Sequence, residues 1–93
     1  MGAPKVVMYC TDWCPYCDRA RSLLADKGVT VLEIDVDAVP GAREEMRARS
    51  GRDTVPQIFI GESHVGGSDD LQALDADGRL DVLLNYPEPL DTD

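Results

Sequence analysis

Val6-Val7-Met8-Tyr9-Cys10-Thr11-Asp12-Trp13-Cys14-Pro15-Tyr16-Cys17 runs from an apolar segment into a pair of cysteines separated by two residues. Asp18 to Lys27 follows with helical character. The cysteine pair therefore lies where a strand ends and a helix begins. Proline suits the first helical position, where its missing N–H is not needed. With Pro15 there, Cys14 becomes the N-cap. The free N–H groups of the first turn and the positive end of the helix dipole then favour a thiolate on Cys14. The thiolate is the attacking species in disulfide exchange. Cys17 lies one turn later on the same face, within bridging reach. The pattern predicts that Cys14 attacks and Cys17 resolves.

Two other chemistries use such cysteines. Half of a zinc site needs two further ligands, and outside this region only His64 is a soft one. Cys10-x3-Cys14-x2-Cys17 also has the spacing of an iron–sulfur motif in radical enzymes, but those chains are far longer. A helix start with proline between the cysteines suits a redox pair better, so no metal is expected. Cys10 reads as a small buried side chain rather than a catalytic one.

Ninety-three residues make one small domain, and 43% hydrophobic with 29% charged residues is an ordinary globular composition. Residues 1–86 are expected to form that domain, and 87–93, with two prolines and three acids nearby, an acidic tail. No apolar run approaches the roughly 18 residues of a membrane span. Met1-Gly2-Ala3-Pro4-Lys5 lacks a signal-peptide layout, which points to the cytoplasm, where paired cysteines are more often catalytic than structural. Nine basic against 18 acidic residues leave a net charge of −9, which disfavours nucleic acid and anionic membranes as partners.

Outward from the cysteines, Lys5 to Tyr9 reads as a central strand covered on both faces. Pro15 to Lys27 is a helix with Leu23 and Leu24 toward a sheet, closed by Gly28. Val29 to Asp35 reads as a second strand with Val29, Val31 and Ile34 buried, parallel to the first through a right-handed crossover. Ala42 to Ser50 is a helix anchored by Met46, with Glu45 and Arg49 spaced to pair. Gln57 to Ile60 and Ser63 to Val65 form a hairpin about Gly61-Glu62. Ser68 or Asp69 caps a helix carrying Leu71 and Leu74, and Gly78 separates it from a last helical piece, Arg79 to Leu84. Trp13 is either a shield and contact surface beside the cysteines or a packed loop residue.

Pro56, just ahead of an apolar strand, removes a ladder donor. A cis Val55–Pro56 bond would account for it and leave the Val55 backbone free for an extended peptide; a trans turn proline is the plainer alternative. Gly66-Gly67-Ser68-Asp69 offers backbone N–H groups at a helix start, suited to a carboxylate, with Asp69 available for an ammonium; a capped helix alone is the plainer alternative. Together these suit a ligand with a thiol, peptide bonds, a carboxylate and an ammonium.

Tyr9, Cys14-Pro15-Tyr16-Cys17, Gly51-Arg52, Thr54 to Ile60, Gly66-Gly67 and Asp69-Asp70-Leu71 resemble the small dithiol glutaredoxins of bacteria, over residues 5 to about 84. The resemblance implies an α/β thioredoxin-like fold, β-α-β-α-β-β-α, with a four-stranded mixed sheet flanked by helices. It implies a monomer that reduces protein disulfides and glutathionylated proteins, with glutathione as reducing cosubstrate. On the family pattern Cys14 forms the mixed disulfide with glutathione and Cys17 resolves protein disulfides. Tyr16 lines the glutathione groove, and the Thr54-Val55-Pro56 turn pairs with the glutathione backbone. Gly67, Ser68 and Asp69 hold its γ-glutamyl end, and Arg43 falls near its glycyl carboxylate.

The family commonly has a lysine where this chain has Thr11, so a positive charge that would favour the thiolate and bind glutathione is lost here. Trp13 is shared instead with thioredoxins and mycoredoxins. These two residues sustain an alternative, a thioredoxin-like reductant recharged by thioredoxin reductase. A glutathione-assisted iron–sulfur protein is a third reading, disfavoured by Pro15.

Overall fold

All five residues of strand β1, Val6–Cys10, are buried, although their side chains alternate between two faces. Val6, Met8 and Cys10 enter one core with Cys17, Ala20, Leu24, Ile58, Ile60, Leu71, Leu80 and Leu84. Val7 and Tyr9 enter a second with Val36, Ala42, Met46 and Phe59. A strand covered on both faces has no polar face to show, hence the unbroken apolar run. The computed structural model describes residues 5–85. The expected acidic tail, 87–93, lies outside them.

The elements after β1 are α1 (Pro15–Asp26), β2 (Val31–Asp35), α2 (Ala42–Ser50), β3 (Gln57–Ile60), β4 (Ser63–Gly66), α3 (Ser68–Ala76) and α4 (Arg79–Asn85). The sheet order is β2-β1-β3-β4. β1 pairs parallel with β2, Val6 opposite Val31, and antiparallel with β3, Val7 opposite Phe59. β4 closes the hairpin antiparallel to β3. This is the expected thioredoxin-like mixed sheet. α1, α3 and α4 supply the residues of the first core, and α2 those of the second. Gly78, at φ +81°, separates α3 from α4.

Three local expectations are corrected. β2 starts at Val31, not Val29, because the Val29 N–H donates to Leu24 O (3.3 Å) and so finishes α1. Val29, Val31 and Ile34 are only half-buried. β2 is an edge strand, and Leu32 on it is 50% exposed. Glu45 and Arg49 meet on a third group: the buried Tyr9 hydroxyl donates to the Glu45 carboxylate and accepts from Arg49 Nη1 at 2.9 Å. The Arg49 guanidinium also lies 4.2 Å from the Phe59 ring centroid. A buried hydroxyl needs partners more than an exposed ion pair needs contact.

The N-cap of α3 is Gly67, not Ser68 or Asp69. Asp70, three residues on, accepts the Gly67 N–H at 3.0 Å and holds Arg52 at 3.1 Å. That amide, then Arg52, holds the Asp70 carboxyl below its usual range. Gly66 has φ +114°, and a methyl group there would collide with the Asp70 carboxylate. Both reasons demand glycine at this turn.

Candidate active site

Three segments converge on the cysteine pair: the end of β1, the first turn of α1 and the loop before β3. Cys14 is the N-cap of α1, in extended conformation (φ −150°, ψ 101°), with Pro15 behind it. Its Sγ accepts the Cys17 N–H at 3.2 Å. An amide of the first turn that has no partner within the helix thus points at the sulfur. The Asp18 N–H donates to Cys14 O at 3.0 Å and continues the helix.

On the other side, Cys14 Sγ lies 3.9 Å from the Val55 carbonyl oxygen. The Val55–Pro56 bond is cis, as the placement of Pro56 before a strand suggests. The cis bond sets Val55 at the mouth of the site while Pro56 is buried at the start of β3. Thr54 beside it is exposed, and its carbonyl and hydroxyl accept from Gln57 Nε2 at 3.0 and 3.3 Å.

The two thiols of the pair occupy different environments. Cys14 keeps 8% of its surface, whereas Cys17 keeps none. Burial pushes the Cys17 thiol up to about 12; the Cys14 sulfur beside it acts in the same direction, and a Thr11 backbone hydrogen bond opposes. Cys17 is therefore protonated at neutral pH. Cys10 ends β1 in the same core. Its thiol lies 3.7 Å from Glu33 Oε1, and burial, then the Glu33 charge, push it up to about 11. Arg21 holds Glu33 at 2.8 Å, which keeps that carboxyl below its usual range. Cys10 is thus an inert thiol at neutral pH, as its place in the strand suggests.

Of the remaining sequence candidates, Tyr16 is 55% exposed beside Cys17, with the Arg19 guanidinium 5.8 Å from its ring. Ser68 is buried, its Oγ accepting from Gln72 Nε2 at 3.0 Å, and Asp69 is exposed. The ideal Cβ position of Gly67 lies 3.5 Å from Pro56 O, so the α3 N-terminus abuts the cis-proline turn. Arg43 is already engaged, by Asp37 at 3.0 Å and Asp53 at 3.6 Å. Asp53 is held mainly by Arg47 at 2.9 Å. Its charge is therefore balanced by two arginines rather than left bare beside the Thr54-Val55-Pro56 turn. His64 stacks on Phe59 and contacts Gln57 Oε1 at 2.7 Å, and takes no part in the cysteine site.

Trp13 is 93% exposed, so the packed-loop reading fails. Sequence reading missed the role of Asp70, although the cap-to-N3 spacing Gly67-x-x-Asp70 was there to find it. It also missed that Asp35 and Asp37 share a cavity with residues 11–13.

A glutaredoxin family model matches residues 6–65. This chain belongs to the glutaredoxin family. A glutaredoxin of Pseudomonas aeruginosa is 56% identical over 82 residues, covering 88% of this chain and 98% of the relative. Glutaredoxin 3 of Escherichia coli K12 is 57% identical over 80 residues, covering 86% and 96%. The solution structure of a Brucella melitensis glutaredoxin superposes with TM-score 0.82 at 51% identity, covering 97% and 98%. A buckwheat glutaredoxin–glutathione complex superposes with TM-score 0.81 at 29% identity, covering 89% and 77%. As a glutaredoxin this protein is a glutathione-dependent thiol–disulfide oxidoreductase, with Cys14 and Cys17 as its adjacent cysteines. Among the described residues no helix is long and apolar enough to cross a membrane.

The buried thiols make the stability of this reduced glutaredoxin sensitive to alkali. Their folded values, about 12 for Cys17 and about 11 for Cys10, exceed the ordinary 9.0. The fold thus favours the neutral thiols. That contribution is whole below pH 9 and is lost as pH rises toward 11 and 12. Urea unfolding of the reduced protein at pH 8 and pH 10.5 should show a loss of about 2–4 kcal/mol. The loss should be smaller in Cys17→Ala; an unchanged pH dependence in that variant would remove Cys17 as the cause.

Proposed function

We propose that Cys14 is the nucleophile of this glutaredoxin, Cys17 its resolving thiol, and that glutathione lies across the cis-proline turn. The observation that carries the reading is the position of the Cys14 sulfur. It sits under the Cys17 amide at 3.2 Å and beside the Val55 backbone at 3.9 Å. In the first reaction the Cys14 thiolate attacks the glutathionyl sulfur of a glutathionylated protein. The Cys14–glutathione disulfide forms, and the protein thiolate leaves and takes a proton. A second glutathione thiolate then attacks the bound glutathionyl sulfur. Oxidised glutathione departs and Cys14 returns as thiolate.

In the second reaction Cys14 attacks a protein disulfide and is joined to one of its sulfurs. Cys17 gives up its proton and attacks the Cys14 sulfur. The reduced protein is released and a Cys14–Cys17 disulfide remains, which two glutathione molecules reduce. The partners are therefore glutathione, glutathionylated proteins and disulfide-bearing proteins.

Glutathione fits the surroundings of Cys14. The Val55 backbone can pair with its peptide, with Thr54 and Pro56 shaping the turn and Tyr16 forming an exposed wall. The Gly67 amide is taken by Asp70, so the amides of Ser68 and Asp69 open α3 toward an anion beside Gly67, and the Asp69 side chain is free to meet the γ-glutamyl ammonium. Arg43 can reach the glycyl carboxylate only in competition with Asp37 and Asp53. Titration with S-methylglutathione, which cannot exchange, tests the seating. The amide resonances of Val55, Gly67, Ser68 and Asp69 should shift together. Unmoved Gly67–Asp69 resonances would overturn the placement of the γ-glutamyl end.

A further inference from the structure

Trp13 leaves 93% of its surface in water immediately before the reactive Cys14, and Tyr16 leaves 55% just after it. Trp13 also lines a cavity of about 220 Å³ with Thr11, Asp12, Asp35 and Asp37. The loop after β1, the last residue of β2 and the loop that follows it thus bring three carboxylates beside one bare indole. Asp35 Oδ1 accepts the amides of Asp37 and Ala38 at 2.9 and 3.2 Å, which fixes its position without neutralising it. Asp37 is held by Arg43, whose charge is shared with Asp53. Asp12 is exposed. The local balance stays negative.

We propose that Trp13 and this acidic cavity dock a basic side chain, Lys or Arg, flanking the glutathionylated or disulfide-bonded cysteine of a protein substrate. The inference rests on Cys14 being the attacking sulfur and adds the class of substrate it prefers. An exposed indole attracts a guanidinium or ammonium over its face, and the carboxylates receive the charged end. The chemistry excludes other occupants. A second copy of the chain, itself of net charge −9, would bring like charge to the cavity. An acidic segment would meet the same repulsion. Thr11 leaves the cavity mouth without a positive charge of its own.

The test compares kcat/KM for two glutathionylated peptides of one length, one with lysines flanking the cysteine and one with glutamates. Glutathionylated 2-mercaptoethanol serves as a small substrate without flanks. At low salt the wild type should prefer the lysine peptide by about tenfold, and high salt should compress the ratio. Trp13→Ala and Asp12→Asn should each bring the ratio toward one while the small substrate is turned over as before. Equal kcat/KM for the two peptides in the wild type would overturn the proposal and leave the role of Cys14 standing. Self-association of the wild type that Trp13→Ala abolishes would assign the surface to a second copy and overturn it too. Failure to turn over the small substrate would bring down the reading of Cys14 and this proposal with it.

Discussion

Cys14→Ser should lose all thiol–disulfide exchange, by at least about a thousandfold on every substrate. The expectation follows from the inequality of the two thiols. Cys17 keeps none of its surface and is pushed up to about 12, so it presents neither access nor thiolate to an incoming disulfide. Cys10 is buried as well and pushed up to about 11. With Cys14 gone, no remaining sulfur is both reachable and ionised at neutral pH. A serine hydroxyl in the same N-cap position still accepts the residue 17 amide, a role serine fills well. The variant should therefore fold, which circular dichroism and a urea midpoint can establish separately from turnover. Residual exchange in folded Cys14→Ser would mean that Cys17 becomes exposed during the reaction.

The site was legible where local rules govern it. Pro15 marks the start of α1, so Cys14 follows as N-cap; Gly51 ends α2 at Ser50, where the structure ends it. Pro56 before an apolar strand pointed to the cis bond, because a proline in that place must be accommodated by the backbone itself. What failed was set by neighbours distant in sequence. The extent and burial of β2 depend on its being at the edge of the sheet, which no periodicity within Val29 to Asp35 encodes. Glu45 and Arg49 have the spacing of a surface pair, yet a hydroxyl 36 residues before Glu45 draws both. The cavity beside Trp13 joins loops from the ends of two strands, and only their parallel pairing brings Asp35 near Thr11. The Thr11 substitution was visible at once, but the commitment of Arg43 to Asp37 and Asp53 was not. The chain therefore lacks a lysine at residue 11 and ties down the arginine that would replace its charge.

That electrostatic change makes Cys17→Ser a test of the reductant as well as of the resolving thiol. The variant should still reduce a small glutathione mixed disulfide with glutathione and glutathione reductase, within a few-fold of wild type. On the proposed mechanism that reaction needs only Cys14, because a second glutathione is its second nucleophile and Cys17 takes no part. Reduction of a protein disulfide should fall by at least about a hundredfold, because an intramolecular thiol one turn away is replaced by one that must diffuse in. The mixed disulfide between Cys14 and the protein should accumulate and be visible by mass. The same pair of proteins should be assayed with NADPH and thioredoxin reductase. Activity of Cys17→Ser with glutathione fits a site in which Val55 and the α3 N-terminus still seat the tripeptide despite Thr11. Activity of the wild type alone, and only with thioredoxin reductase, would mean that the charge missing at residue 11 and the bare Trp13 have changed the reductant on a glutaredoxin frame. The two outcomes differ in which molecule reaches the Cys14 sulfur after the first exchange.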